Sequence, residues 1–250
     1  AMGAAQGNIR EVCALRIRIK FRKYGVMKFI GHLDMMRYFQ KCIRRAGIDI
    51  AYSEGFSPHQ IMSFAAPLGV GATSDGEYLD IEVLSTKSSG QSLQALNETM
   101  AEGVEVVSYR RLKGSDKKAM SIVAAADYEL YVKEGYEVPD VDYEAAVKEF
   151  YEKPDEILIT KQTKNGEKAM DLKKLIYEFK VLRKEGKPVF YLKVCTGSTD
   201  NVKPQIVLEA FFRFLGAEYN PPAIQIHRKD VYGMEQGKIV SLGEMGEDIG

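Results

Sequence analysis

Residues 15–22 read LRIRIKFR, so every apolar side chain in this stretch is followed by a cation. A β-strand places successive side chains on opposite faces, and the alternation therefore predicts a strand with one apolar face and one basic face. If helices cover the apolar face, Arg16, Arg18 and Lys20 stand on the uncovered one, as on sheets that bind nucleic acid. The structural alternative is that acids on a neighbouring strand pair with these cations.

Positive charge is concentrated near the start of the chain. The 250 residues carry 35 basic and 35 acidic side chains, yet residues 10–45 contain eleven cations against only Glu11 and Asp34. This local excess favours an anionic partner for the first half of the molecule, although the net charge of the whole chain is zero.

Composition limits the class of protein. A hydrophobic content of 45% is enough for a core in one large domain or two smaller ones. The three cysteines, Cys13, Cys42 and Cys195, are odd in number and far apart, which argues against a disulfide framework and a clustered metal site.

No apolar stretch is long enough to cross a bilayer, and the first residues lack a signal peptide's hydrophobic region. We therefore expect a cytoplasmic protein with no membrane partner.

The first half shows a βαββαβ order. Strands are predicted at 15–22, 48–52, 78–84 and 104–111, with helices at 33–46 and 92–101. This is the ferredoxin-like arrangement, an α+β fold in which two helices cover one face of an antiparallel sheet. Its first and third strands are neighbours, so Asp80 and Glu82 would share the face of the strand cations and pair with them.

The second half repeats this order loosely. Strands are predicted at 126–133, 156–161, 189–195 and 223–228, with helices at 143–151 and 203–215. An extra amphipathic segment at 171–182 fits either a strand or a helix. The prediction is two tandem ferredoxin-like units with antiparallel sheets, the second with an inserted segment. Their bounds are 10–113 and 119–232, and the glycine-rich residues 233–250 are expected to form a flexible tail.

The predicted helix at 33–46 carries a cluster of cations within about two turns. These are Arg37, Lys41, Arg44 and Arg45. Asp34, three residues before Arg37, is placed to pair with it and also suits the positive end of the helix dipole. The cluster favours binding of phosphates, whereas the alternative is an ordinary solvated basic face.

The polar loop at 52–59 holds two aromatic residues and a histidine, namely Tyr52, Phe56 and His59. Exposed aromatic rings beside cations suit stacking of nucleobases, while the alternative is that Phe56 packs onto the core. His32 and His59 are candidates for acid–base catalysis if the loop folds back over the helix start. Neither a metal site nor a phosphate-binding, dinucleotide or nucleophile-elbow motif is indicated, so we expect no cofactor and favour a noncatalytic role.

Several stretches of the sequence resemble a bacterial family known as the radical-SAM-linked domain of unknown function. The matching runs are FIGHLDMMR at 29–37, RRAG at 44–47, YSEGFSPH at 52–59, EYLD at 77–80, AAADY at 124–128, NVKP at 201–204 and IHR at 226–228. The family occurs as a separate protein or fused to a cobalamin-binding radical SAM module. The later runs add four candidate site residues from the second half: Asn201, Lys203, His227 and Arg228.

This resemblance implies a partner rather than a reaction. The chain has no CxxxCxxC cysteine cluster, so it is not itself a radical SAM enzyme. The leading hypothesis is a noncatalytic accessory protein that binds RNA or presents a substrate to a radical SAM enzyme. The alternatives are an endoribonuclease-like enzyme that uses histidine, and a protein-docking module for which RNA is irrelevant.

Overall fold

The alternating octet lies in the first strand, β1 (Leu15–Lys23), of a computed structural model that describes residues 14–114, 116–163, 166–197 and 200–250. Ile17, Ile19 and Phe21 are at most 1% exposed and pack in one hydrophobic cluster with residues of two helices. The predicted sorting of apolar side chains onto one face is therefore observed. Residues 10–13 of the first predicted unit, which include Cys13, lie outside the described residues.

The first half forms a compact unit around β1. Its further elements are α1 (His32–Arg45), β2 (Met62–Phe64), β3 (Thr73–Val83), α2 (Ser89–Asn97) and β4 (Val104–Arg111). The strand order is β4-β1-β3-β2, and all neighbours are antiparallel. The predicted strand at 48–52 is wrong, because Ile50 and Tyr52 make only isolated bridges and the strand paired with β3 comes ten residues later.

The second half begins with a single helical turn, α3 (Ala119–Ile122). It continues with β5 (Val123–Val132), α4 (Tyr143–Val147) with a π-helical extension to Glu152, β6 (Leu158–Thr163), β7 (Gly166–Asp171), β8 (Ile176–Lys184), β9 (Lys187–Cys195), α5 (Pro204–Phe214), β10 (Ile224–Glu235) and β11 (Lys238–Ser241). The strand order is β10-β5-β9-β8.

The predicted extra segment at 171–182 contributes a strand to the main sheet. Residues 171–182 were ambiguous, but most of them belong to β8, which pairs with β9 in the main sheet. The predicted strand at 156–161 overlaps β6, which pairs with β7 in a separate two-stranded sheet. The strand β8 is more buried than the β6–β7 hairpin. Ile176 and Phe179 of β8 are both 3% exposed, whereas Leu158 of β6 is 62% exposed.

The two halves share one sheet instead of forming two. β3 and β10 run parallel, with His227 opposite Thr73 and Arg228 opposite Ser74. This pairing joins the halves into a nine-stranded, mostly antiparallel sheet in a mixed α+β fold. Each half keeps its own core on the sheet, with Phe21, Phe39 and Phe64 clustered in the first and Phe190 and Phe211 in the second.

The C-terminal residues are folded onto the first half, so the expected flexible tail at 233–250 is wrong. β10 extends to Glu235 and pairs with β11, and Glu247 exchanges two backbone hydrogen bonds with Arg111. The glycines allow close approach here instead of flexibility. Gly246 has a φ of +81°, and a Cβ added there would lie 2.8 Å from the carbonyl oxygen of Arg111. Leu242 is fully buried.

Candidate functional site

Arg18 of the basic strand is enclosed by protein. It is 2% exposed, and its guanidinium donates two hydrogen bonds to the Asp80 carboxylate, at 2.8 and 3.0 Å. It also reaches the carbonyl oxygen of Lys117 and lies 3.2 Å from the sulfur of Met245. The expectation that Arg18 binds an anionic ligand is therefore wrong, because its charge is compensated and its surface is covered.

The other two strand cations also have partners within the chain. Arg16 donates to the carbonyl oxygens of Lys113 and Gly114, at 3.0 and 3.1 Å. The ammonium group of Lys20 lies 3.3 Å from the Asp230 carboxylate. The connection between the halves and the C-terminal segment thus cover this face, which leaves little of it for RNA.

Glu82 does not pair with the strand cations. Its carboxylate lies 3.4 Å from the ammonium group of Lys118, in the segment that connects the two halves. The backbone N–H of Ala119 donates to Asp80 at 2.7 Å in the same region. Neutralisation of the strand face therefore involves Asp80 as expected, but Glu82 binds the connecting segment instead.

Helix α1 presents its cations to solvent. Met35, Phe39, Cys42 and Ile43 are buried on its inner face, whereas its predicted cluster of cations is exposed: Arg37, Lys41, Arg44 and Arg45. Arg37 pairs with Asp34 at 3.0 Å, and both side chains are about two-thirds exposed. Within the described part of the chain, no carboxylate lies within 4.0 Å of the other three cations. We call these four cations the basic face of α1.

The loop at 52–59 is attached to the same helix. Tyr52 and Gln60 close the loop with a bridge, and the Gln60 side chain donates to the Gln40 carbonyl oxygen of α1 at 3.2 Å. Arg37 and Arg44 flank Gln40 at spacings of three and four residues, so they lie on the helix side that carries the loop.

Two aromatic side chains of this loop project into solvent. Tyr52 is 51% exposed and Phe56 is completely exposed, at 112%. Phe56 therefore does not pack onto the core, which was the structural alternative. The loop is closed from within, since His59 Nδ1 lies 2.8 Å from the Ser53 hydroxyl and the His59 N–H donates to the same oxygen.

The structure does not bring His32 and His59 together. The His32 ring packs edge-on against Phe64 at the start of α1, with ring centroids 5.2 Å apart. The loop of His59 is anchored at Gln40, eight residues or about 12 Å further along the helix axis. This separation removes the geometric basis for acid–base catalysis by the pair.

Residues of both halves surround a cavity of about 410 Å³ next to the β3–β10 pairing. Its walls are the loop at 66–72, strand residues Tyr128 and Arg228, and the first turn of α5. Further lining residues are Lys133, Thr196, Asn201, Lys203, Gln205 and Tyr219. We call this cavity the basic pocket. It brings together Asn201, Lys203 and Arg228, three of the residues expected from the later half of the sequence.

His227 faces away from the basic pocket. Its Nδ1 lies 2.9 Å from the Thr73 hydroxyl, and its Nε2 lies 3.1 Å from the Asp75 carboxylate. Burial of Asp75 opposes ionisation, but hydrogen bonds from His227 and Lys229 hold the pKa of its carboxyl below the ordinary value. His227 thus belongs to a polar cluster on the opposite face of the sheet from Arg228.

Three charged residues are buried beside the pocket. Lys23, Glu77 and Arg228 are at most 4% exposed. Arg228 forms a two-pronged pair with Glu77 and donates to the Ala66 carbonyl oxygen at 2.8 Å. Burial disfavours its charge, yet Glu77 raises the pKa of Arg228 above its ordinary value. Burial lowers the pKa of Lys23, whose ammonium group donates to the Ile30 carbonyl oxygen.

Sequence reasoning missed half of the pocket. Lys133 and Gln205 are not among the predicted site residues, and the stretch that begins at Gly69 is rejected as a phosphate-binding motif because it has no lysine. The available signal was one basic residue directly after β5 and another directly before α5, namely Lys133 and Lys203. In the described part of the chain, no group of three or more metal-binding side chains is found, and no helix has the length and hydrophobicity to cross a membrane.

A family model matches residues 16–204, from β1 to the first residue of α5. The chain belongs to the DUF2344 family, which is described as uncharacterized and conserved in bacteria. The match includes the basic face of α1, the loop at 52–59 and most of the basic pocket, but not Arg228. It does not link the chain to radical SAM proteins, and that link stays a prediction.

Among solved structures, a chain in the crystal structure of a Cbf5-Nop10-Gar1 complex is similar at 12% identity and a TM-score of 0.48. The alignment covers 86% of this chain, which spans about half of the other chain, 48%. No curated protein matches the sequence.

Proposed function

We propose that the protein is a noncatalytic accessory protein that binds RNA on the basic face of α1 and the adjoining loop at 52–59. The observation that carries this proposal is the exposure of Lys41, Arg44 and Arg45 without carboxylate partners in the described residues, next to a completely exposed Phe56. In this proposal the four helix cations hold phosphates, and Tyr52 and Phe56 stack on bases.

The physical basis is that cations and aromatic rings act on different parts of a nucleotide. Neutralised phosphates release counterions, which stabilises the complex without regard to sequence. Stacking of a base on an aromatic ring contributes on the order of 1–3 kcal/mol. Phe56 gains more from such a contact than a half-buried ring would, because its whole surface is in water.

The resemblance noted in the sequence supplies the proposed partner. The chain lacks the cysteine cluster of a radical SAM enzyme, and we propose that it presents RNA to such an enzyme in the reducing cytoplasm. We also propose that the two halves are ferredoxin-like units, since each has the strand order in which the last and third strands flank the first.

The test is a titration of labelled single-stranded RNA at two salt concentrations. If about four phosphates are neutralised, the slope of log affinity against log salt is near −3. The Arg37→Ala, Arg44→Ala, Arg45→Ala triple variant should reduce the slope by about 2 and weaken binding at least tenfold, about 1.4 kcal/mol.

A matched control removes three exposed lysines elsewhere. The Lys148→Ala, Lys187→Ala, Lys238→Ala variant changes the net charge by the same amount but leaves α1 intact. It should bind RNA as the wild type does at 150 mM salt. Equal losses in the two variants would show that only the net charge matters, and absence of RNA binding in the wild type would refute the proposal.

A protein-docking surface is the second candidate, and exposed apolar side chains favour it. Phe29, Leu33 and Val70 are 61–66% exposed at the start of α1. A Cβ added at Gly31 would lie 3.9 Å from Val70, so the loop at 66–72 lies against the helix start. Co-purification of a radical SAM enzyme without RNA, abolished by Leu33→Ser, would favour docking. Unchanged co-purification with this variant would argue against it.

A further inference from the structure

The basic pocket is a second possible ligand site, separate from the basic face of α1. Its volume of about 410 Å³ falls within the range of sites for small molecules, on the order of 300–1,000 Å³. It lies between the two halves of the molecule, a common position for such sites.

The charged residues that line the basic pocket are all basic. Lys133, Lys203 and Arg228 line the pocket, and none of its described lining residues is an aspartate or a glutamate. The first turn of α5 also lines it, and this eleven-residue helix has no side-chain cap at its N-terminus. The partial positive charge of that helix end adds to that of the lysines.

The two lysines of the pocket have no carboxylate partner within 4.0 Å among the described residues, and Lys133 donates only to the Pro222 carbonyl oxygen. Glu77 is shared by two buried cations, since it pairs with Arg228 and also acts on Lys23. In the described part of the chain, no other carboxylate lies within 4.0 Å of either cation. An excess buried positive charge is unfavourable unless an anion compensates it. Of these two cations, Arg228 lines the pocket, where a bound phosphate would add to the compensation that Glu77 gives it.

The pocket also contains groups that suit the rest of a nucleotide. Tyr128 and Tyr219 offer aromatic surface, and Leu68 and Ile226 offer apolar surface. Gln205 also lines the pocket, although its side-chain oxygen is buried and receives no hydrogen bond from the described residues.

We propose that the basic pocket binds a nucleoside monophosphate group, with its phosphate near Lys203, Lys133 and the start of α5. The group has two possible sources, a free nucleotide or the phosphorylated end of an RNA strand. This proposal does not depend on RNA binding by α1, because it rests on different residues.

Calorimetric titration of the full chain tests the proposal. The ligands are the four nucleoside 5′-monophosphates, the matching nucleosides, inorganic phosphate, and a five-nucleotide RNA with a 5′-phosphate or a 5′-hydroxyl. A monophosphate should bind at least tenfold more tightly than its nucleoside or inorganic phosphate. Binding of free monophosphates identifies a soluble nucleotide as the source, whereas binding of only the phosphorylated RNA identifies the strand end.

Two variants locate the site. Lys203→Gln and Lys133→Gln should each weaken binding roughly tenfold, because each removes one charge-assisted contact. Lys203 is exposed and makes no capping bond, so its replacement leaves the fold intact, which a melting curve verifies. The matched control Lys187→Gln, at an exposed position outside the pocket, should bind as the wild type does.

Three results would overturn the proposal. They are no binding of any monophosphate or phosphorylated RNA, binding of inorganic phosphate as tight as that of the nucleotides, and equal affinity of the Lys203→Gln variant and the wild type.

Discussion

Strand β1 and helix α1 carry similar runs of cations but expose them differently. Arg16, Arg18 and Lys20 on the strand are all bound by carbonyl oxygens or carboxylates of the chain. On the helix, Arg37 alone has a carboxylate partner among the described residues. A strand in the middle of a sheet is surrounded by other segments of the chain that supply carboxylates and carbonyl oxygens, whereas the outer face of a surface helix meets solvent. Charge density in the sequence therefore does not by itself identify a binding surface.

The largest effect is expected from removing the carboxylate partner of Arg18 in β1. Asp80→Ala leaves the guanidinium of Arg18 buried without its carboxylate and should lower the free energy of unfolding by about 3–5 kcal/mol. Urea denaturation measures the change. The double variant Arg18→Met, Asp80→Leu should recover most of the loss, because it removes the unpaired charge. A loss below about 1 kcal/mol for Asp80→Ala would mean that the pair behaves as an exposed one.

A smaller effect is expected from disturbing the C-terminal segment that covers the cations of β1. Gly246→Ala places a Cβ against the Arg111 carbonyl at a positive φ and should cost about 1–3 kcal/mol. Hydrogen exchange of the Arg111 and Glu247 amides should become faster in the variant. Gly250→Ala is the control, since nothing lies within 4 Å of the added Cβ. Equal protection in both variants would contradict the close packing of this segment.

The exposure of the α1 cations is tested by removing Asp34, the carboxylate that pairs with one of them among the described residues. Asp34→Asn should change the free energy of unfolding by no more than about 0.5 kcal/mol, because the pair with Arg37 is exposed. It should strengthen RNA binding by roughly twofold, since one more cation becomes free. Asp140→Asn, at an exposed position in the second half, is the control. Weaker RNA binding by Asp34→Asn would contradict the role of the basic face.

The smallest effect concerns the pH dependence of the C-terminal segment. A hydrogen bond from Arg111 and its charge hold the pKa of the Glu247 carboxyl below the ordinary value of 4.5. Because the folded-state pKa is the lower one, this contact stabilises the segment above pH 4.5 and is lost as the pH falls through the lowered value. The protection of amides around Glu247, expressed relative to their intrinsic exchange rates at each pH, should fall in that acidic range, and Glu247→Gln should abolish this pH dependence. An unchanged profile in the variant would refute it.

Local features and the pairing of β1 with β3 were predictable from the sequence, whereas the pairing between the two halves was not. The alternation fixed the buried face of β1, and the expected helix at 33–46 agrees with α1 to within one residue. Asp80 was recognised as a partner because the strand order implied it. The pocket was not recognised as a whole, because Ala66 and Lys203 meet only through the parallel pairing of β3 with β10. No local pattern at Gly243 or Gly246 distinguishes a glycine needed for close packing from one in a mobile tail.

The parallel pairing of β3 with β10 also bears on how the chain folds as it is synthesised. Thr73 and His227, which lie opposite each other in the sheet, are 154 residues apart in the chain. At a synthesis rate of about 5–20 residues per second, the start of β3 waits roughly 8–30 s for its partner strand. Throughout that time the start of β3, beyond the part that β2 covers, is an unpaired strand edge, which is the kind of surface that other chains and chaperones bind.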